Sequence, residues 1–234
     1  MELTYFHDYE QLSETGTRHL LDRIREKPGL LICTATGNSP TGIYRRLVEF
    51  LQMERSLARM IRIIKLDEWA GIGHGSEGSC EHYLRNHLLD PLNIDQARFI
   101  SFASDAEDPG RECERIGSRL AKEGPIDVAI LGLGKNGHLG FNEPAAALEP
   151  HCHLVNLTSE SRAHSMMKHT PQKPAKGMTL GMKDILSSNM IILVVSGEGK
   201  EEAFSTLLSG KITTSCPASF LWLHERVHCL VLQK

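Results

Sequence analysis

Residues 127–144 read Asp127-Val128-Ala129-Ile130-Leu131-Gly132-Leu133-Gly134-Lys135-Asn136-Gly137-His138-Leu139-Gly140-Phe141-Asn142-Glu143-Pro144. The run Val128–Leu131 has no polar member, the pattern of a strand buried on both faces in a parallel sheet. The glycines that follow let the backbone turn sharply and approach a ligand closely. Within that turn sit one imidazole, His138, and one carboxylate, Glu143. A buried strand that ends in a Gly-rich loop with such groups is where an open α/β sheet keeps its chemistry. Taken alone, the segment also fits a structural turn carrying a solvated histidine.

Working outward, strand-like and helix-like segments alternate. Apolar runs predict strands at Leu30–Thr34, Ile61–Leu66, Phe99–Phe102, Met190–Val195 and Val227–Leu232. Helices are predicted over Thr41–Met60, with Ile43, Leu47, Phe50 and Leu51 on one face, over Gly78–Leu89, over Pro109–Lys122 and over Lys200–Leu208. Such alternation predicts an α/β fold, an open, mostly parallel, doubly wound sheet of Rossmann-like type joined by right-handed crossovers. With no repeat or linker, residues 1–234 read as one domain. Residues 145–183 lack clear periodicity, are rich in His, Lys, Ser and Pro, and are expected to form a lid over the site.

A formal net charge of −3 with no basic run argues against nucleic acid as a partner, but not against a small anionic ligand. No apolar stretch reaches the roughly 20 residues needed to span a bilayer. Met1–Phe6 has neither the basic nor the apolar region of a signal peptide, so the cytoplasm is the expected location and no membrane partner is expected. The six cysteines are scattered without a Cys-x-x-Cys, and Cys33 and Cys229 lie in strand-like runs as reduced core thiols. Cys80 with His82, and His151-Cys152-His153, lack zinc spacing, since neighbours in an extended segment face opposite ways. No metal is expected.

Three further stretches carry polar groups where strands should end. Ala35 to Gly42 joins a strand to a helix, and its N–H groups and hydroxyls suit either an anion or a plain helix cap by Ser39 or Thr41. Asp67-Glu68 is costly to bury without purpose, though a surface pair fits the pattern as well. Lys200 closes a Ser196-Gly197-Glu198-Gly199 turn after a buried strand.

Gly137-His138-Leu139-Gly140-Phe141-Asn142-Glu143-Pro144, Thr36-Gly37-Asn38-Ser39-Pro40 and Leu66-Asp67-Glu68-Trp69 together resemble the signature of the glucosamine-6-phosphate deaminase family. The resemblance runs from about Leu30 to the C-terminus. Lys135-Asn136, Cys80-Glu81, Thr179–Asp184, Gly197–Lys200 and Pro217–His224 look like its galactosamine-6-phosphate isomerase branch.

The resemblance implies roles residue by residue. Thr36, Gly37, Asn38, Ser39, Thr41 and Lys200 would hold the substrate phosphate. The family's lid arginine falls at Met167 or Lys168, with Arg162 one to two turns earlier, so the third phosphate donor stays open between Lys168 and Arg162. Asp67 matches the carboxylate that moves a proton between C2 and C1, and Glu68 takes a structural place. His138 matches the histidine that assists opening of the pyranose ring, and Glu143 matches its partner. The family's second partner, an aspartate, is Asn136 here, an amide that hydrogen-bonds without offsetting charge. The implied reaction converts galactosamine 6-phosphate to tagatose 6-phosphate and ammonia, with no cofactor. Alternatives are a glucosamine-6-phosphate deaminase, a 6-phosphogluconolactonase of the same fold, and a non-catalytic sugar-phosphate sensor. Asn142-Glu143-Pro144 counts against the lactonase, because lactone hydrolysis needs no proton shuttle at C2. Ala146, His153 and Val155 stand where allosteric members carry a serine and basic residues, and the chain stops at Lys234 without their C-terminal extension. No allosteric activation is therefore expected, and a monomer or small homo-oligomer is.

Overall fold

The structure, a computed structural model, describes residues 1–73, 75–162, 165–167 and 173–233. Its strands are β1 (Glu2–Phe6), β2 (Leu31–Thr34), β3 (Arg62–Lys65), β4 (Asp67–Ala70), β5 (Phe99–Ile100), β6 (Val128–Gly132), β7 (His153–Asn156), β8 (Lys176–Thr179), β9 (Met190–Val195) and β10 (Val227–Leu232). The helices are α1 (Tyr9–Glu26), α2 (Asn38–Met53), α3 (Arg55–Ala58), α4 (Cys80–Leu84, continued by a π turn over Arg85–Leu89), α5 (Pro109–Glu123), α6 (Ser159–Arg162), α7 (Met182–Leu186) and α8 (Glu201–Leu208).

Seven strands make a parallel sheet in the order β1-β10-β9-β6-β2-β3-β5. Alternate residues of a strand point to opposite faces. In β9, Ile191, Leu193 and Val195 join the apolar cluster on one face, and Met190, Ile192 and Val194 join the cluster on the other. Both faces of β9 are therefore covered, which explains why it reads as an unbroken apolar run. Each such aliphatic side chain contributes about 1.5–3 kcal/mol on burial.

Helix ends are set locally. Asp8 accepts a hydrogen bond from Glu10 N at 3.0 Å to start α1. Asp108 accepts from Gly110 N and Arg111 N to start α5, with Pro109 in its first turn. The predicted helix from Thr41 begins three residues earlier, at Asn38, and breaks at Glu54 into α2 and α3.

The sheet order fixes where a ligand can sit. From β2 the chain moves outward through β3 to β5, and from β6 it moves the other way through β9 to β10. Connections from β2 and β6 thus diverge beyond their carboxyl ends and leave a crevice at the switch point. A second sheet borders that crevice. It is antiparallel, in the order β4-β8-β7. The chain passes from one sheet to the other at Leu66, whose N–H donates to Thr34 O (3.2 Å) and whose carbonyl accepts from Leu180 N (2.9 Å). The segment 145–183, without periodicity in the sequence, supplies β7, α6 and β8 to this second layer. Among the described residues no helix is long and apolar enough to cross a membrane.

Candidate active site

A cavity of about 500 Å³ opens at the carboxyl ends of β2, β3, β6 and β9. Its polar walls fall into two groups. One lies at the N-terminus of α2, where Thr36, Gly37, Asn38 and Ser39 line the cavity beside Ser196 and Lys200. Ser39 Oγ accepts from Lys200 Nζ and from Ser196 Oγ, each at 3.1 Å. Two hydroxyls, an ammonium and a helix N-terminus therefore converge, an arrangement that suits an anion. Burial, and then the charge of Lys135, bring the Lys200 ammonium down to about 8.

Not every residue expected here reaches the cavity. The Thr41 hydroxyl donates to Gly37 O at 2.9 Å, four residues back at the start of its own helix, lies 2.7 Å from Tyr83 Oη, and does not line the cavity. Thr41 had been expected among the phosphate ligands; one turn into α2, its hydroxyl finds a backbone carbonyl first. Arg162, the last residue of α6, is exposed and does not line the cavity. Lys168 lies outside the described residues.

The other group gathers Asp67 and His138. Asp67 is the first residue of β4, just past the corner at Leu66, and is only 7% exposed. Among the described residues its hydrogen-bond donor is weak, the Cys80 thiol at 3.9 Å from Oδ1. Burial, then the charge of Glu68, push its carboxyl up to about 7, while His138 and Lys65 pull the other way. Glu68 beside it is fully buried but fully occupied. It accepts from Lys65 Nζ (2.6 Å), Trp69 N (2.9 Å), Cys80 N (3.0 Å) and Glu81 N (2.9 Å), and so anchors the start of α4 to the corner.

His138 lies across the loop after β6. A Cβ on Gly134 would stand 2.4 Å from His138 Cδ2, so only glycine admits the ring, and Gly137 turns the chain with φ +84°. Asn136 ties the loop together. Its Oδ1 accepts from His138 N (3.1 Å) and its Nδ2 donates to Glu143 Oε2 (2.9 Å). Thr158 (3.2 Å) and Ser161 both donate to Glu143 Oε1. His138 Nδ1 stands 3.5 Å from Glu143 Oε2, an electrostatic pair without a formed hydrogen bond. Burial works to raise the Glu143 carboxyl, but His138, Ser161 and Asn136 together bring it down to about 2. Asn142 is structural. Its Nδ2 donates to Leu139 O (2.8 Å) and Leu180 O (2.9 Å), fastening the loop to the chain after β8.

Sequence reading missed Ser196, Lys135, Cys80, Thr158 and Ser161 as members of this site. Ser196 and Lys135 had a signal, since each lies in a Gly-rich turn after a buried strand. Thr158 and Ser161 had none, because they come from the segment without periodicity. A separate cavity of about 620 Å³, bordered by Cys113, Cys152 and Lys183, shares no lining residue with the site.

A crevice at a switch point, with an anion-binding end and a carboxylate–imidazole end, defines an α/β enzyme that moves protons on a small anionic substrate. The chain belongs to the family described as glucosamine-6-phosphate isomerases/6-phosphogluconolactonase, which it matches over residues 8–229. That span begins well before Leu30, so it takes in α1. The chain is 42% identical over 224 residues to the "Putative deaminase AgaI" of Escherichia coli K12, covering 96% of this chain and 89% of that protein. It is 35% identical over 226 residues to glucosamine-6-phosphate deaminase 1 of Bacillus subtilis 168, covering 95% and 93%. The structure of a monomeric glucosamine-6-phosphate deaminase superposes with a TM-score of 0.93 at 34% identity, over 100% of this chain and 98% of that one.

Proposed function

We propose that the protein isomerises and deaminates a hexosamine 6-phosphate, converting galactosamine 6-phosphate to tagatose 6-phosphate and ammonia. The observation that carries this reading is one cavity with Asp67 and His138 at one end and Ser39, Ser196 and Lys200 at the other. The phosphate sits at the N-terminus of α2 against Lys200. His138, backed by Glu143, exchanges a proton with the ring oxygen and opens the ring. Asp67 takes the C2 proton, leaving an enolamine, and a proton returned to C1 gives the C2 ketimine. Water then releases ammonia and the ketose. The C1 carbonyl freed by ring opening takes up the electron pair that the C2 proton leaves, and the nitrogen lone pair then forms the ketimine, so this chemistry asks for no cofactor. A carboxyl near 7 is matched to this task, ionised enough to act as a base and basic enough to hold the proton it takes.

The galacto sugar is favoured by the stretches that look like the galactosamine branch, Lys135-Asn136 and Thr179–Asp184 among them. Glucosamine 6-phosphate, giving fructose 6-phosphate, is the second reading, favoured by the relatives named for it. The protein works in the cytoplasm as a monomer or small homo-oligomer without allosteric activation, and segment 145–183 closes over the substrate. Ammonia release assayed with both sugars tests the proposal: release from neither would refute it, and the larger kcat/KM assigns the substrate. Lys200→Ala is expected to raise KM with little change in kcat, since a charge-assisted contact to phosphate contributes about 1.5–3 kcal/mol. A Lys200→Ala enzyme with wild-type KM would remove Lys200 from the phosphate site.

A further inference from the structure

The cavity has an unassigned cation. Lys135, in the loop after β6, lines the same cavity as Ser39, Ser196 and Lys200. Its side chain lies along the turn after β9: a Cβ on Gly199 would stand 3.3 Å from Lys135 Cε and 3.4 Å from its Nζ. Its charge reaches Lys200, where it is the second cause, after burial, of the lowered ammonium. Among the described residues neither lysine has a carboxylate ion-pair partner, and the contact of Lys200 is the neutral hydroxyl of Ser39. Two ammonium groups held near one another beside two hydroxyls repel, and the repulsion is relieved when an anion lies between them.

We propose that Lys135 is the second cationic donor to the substrate phosphate, which lies between it, Lys200, Ser39 and Ser196. This rests on the phosphate reading of that end of the cavity. It supplies from the β6 loop the charge that Arg162, exposed and off the cavity wall, does not supply. It also joins the two ends of the site. Lys135 adjoins Asn136, whose side chain holds both the His138 backbone and Glu143. A phosphate drawn onto Lys135 therefore steadies the loop that aims the His138 ring.

Calorimetric titration of the full chain with inorganic phosphate tests this with Lys135→Gln, Lys135→Arg and, as a control outside the cavity, Lys122→Gln. Lys135→Gln is expected to weaken phosphate binding about tenfold or more, as loss of a charge-assisted contact does. Lys135→Arg should stay within about threefold of wild type, because the charge is kept. Lys135→Gln should also move the basic limb of kcat/KM to higher pH, because Lys200 loses its repulsive neighbour; a merely structural role for Lys135 would leave that limb in place. Wild-type phosphate affinity in Lys135→Gln, with the limb unmoved, would overturn the assignment. A wild-type chain that binds no phosphate up to high millimolar concentration would instead overturn the phosphate reading on which it stands.

Discussion

Asp67, at the corner between the two sheets, and Glu143, behind His138, are equally deep, each 7% exposed. Their carboxyls nonetheless stand far apart, at about 7 and about 2. Burial works to raise both and leads at Asp67, but at Glu143 it is overcome by the groups around the carboxylate. Glu143 receives Asn136, Thr158 and Ser161 as donors and has His138 beside it. Among the described residues Asp67 has one distant thiol as side-chain donor and a carboxylate neighbour whose own donors are turned toward itself. Where donors are supplied, the charge is held permanently and can orient an imidazole; where they are withheld, the carboxyl is left near neutrality and can trade a proton. The same fold thus makes a fixed anion and a carboxyl poised to exchange a proton from two buried carboxylates.

The sharpest way to break this contrast is Asp67→Asn. The amide keeps the shape and removes the base, so kcat is expected to fall about 10²–10⁴-fold while inorganic phosphate still binds. A kcat within a few-fold of wild type would take the base role from Asp67. Stability should move oppositely. A carboxyl whose folded pKa, about 7, lies above its unfolded value of 3.8 binds its proton more tightly when folded. Its stabilising contribution is full below about 4 and is lost as pH rises through about 7. At pH 8 the variant, which carries no buried charge at this position, is expected to melt higher than wild type, and at pH 4 the gain should vanish.

The next largest effect probes the corner that denies donors to Asp67. Lys65 is fully buried and its Nζ reaches Glu68 Oε2, Phe102 O (3.0 Å) and, at 3.7 Å, Glu81 Oε2. Lys65→Met leaves Glu68 buried without its cation, a change that costs about 3–5 kcal/mol. For a chain of this size that lowers Tm by about 10 °C. The variant should also push the Asp67 carboxyl higher, because Lys65 is one of the two charges pulling it down. A Tm within about 2 °C of wild type would show that the corner does not depend on the ion pair.

A pH profile reads the contrast without mutation. With Asp67 required ionised and Lys200 required charged, kcat/KM should fall about tenfold per pH unit below about 7 and again above about 8. The optimum is narrow because each end of the cavity contributes one limb. Bound phosphate favours the Lys200 ammonium, so the basic limb of kcat, which reports the complex, should lie at higher pH than that of kcat/KM. A kcat/KM constant from pH 5 to 9 would mean that neither group limits the free enzyme.

The parts of the molecule legible in the sequence were those whose residues behave alike on both faces. Met190–Val195 is apolar throughout and Val227–Leu232 is so apart from His228, and the strands fall on those residues. Asp67, His138, Glu143, Ser39 and Lys200 were singled out near strand ends and given roles only by the family resemblance; Asp67, His138, Ser39 and Lys200 line one crevice, with Glu143 beside His138. What escaped depended on partners distant in sequence. The buried face of α1 contains Ser13, Gly16 and Thr17 between its leucines, too polar a stripe to show helical periodicity. The strands β4, β7 and β8 mix Asp67 and Glu68, His153 and Asn156, and Lys176 and Gly177 into four residues each, so no apolar run marks them. Lys65 reads as a charged residue ending a strand, and only the fold shows Glu68 and Glu81 closing over it.

Asn136 offers the finest test, because it is the donor that links Glu143 to the His138 backbone. Charge counting from sequence made it the weaker stand-in for an aspartate. The geometry adds a second role, since Asn136 Nδ2 donates to Glu143 Oε2 at 2.9 Å, a bond no carboxylate can make. Asn136→Asp would set two carboxylate oxygens against each other at that distance, leaving two negative charges behind one imidazole. The pair is relieved by a proton, so the variant should melt lower than wild type at pH 8, where both carboxylates are charged, and close part of that gap as the pH falls. Catalysis should change less than in Asp67→Asn, to within about tenfold of wild-type kcat, because Thr158 and Ser161 still fix Glu143. Thermal melts of both proteins at pH 8 and pH 5 measure this directly. Identical melts would show that Asn136 serves the loop backbone alone, and that the low carboxyl of Glu143 does not need its amide.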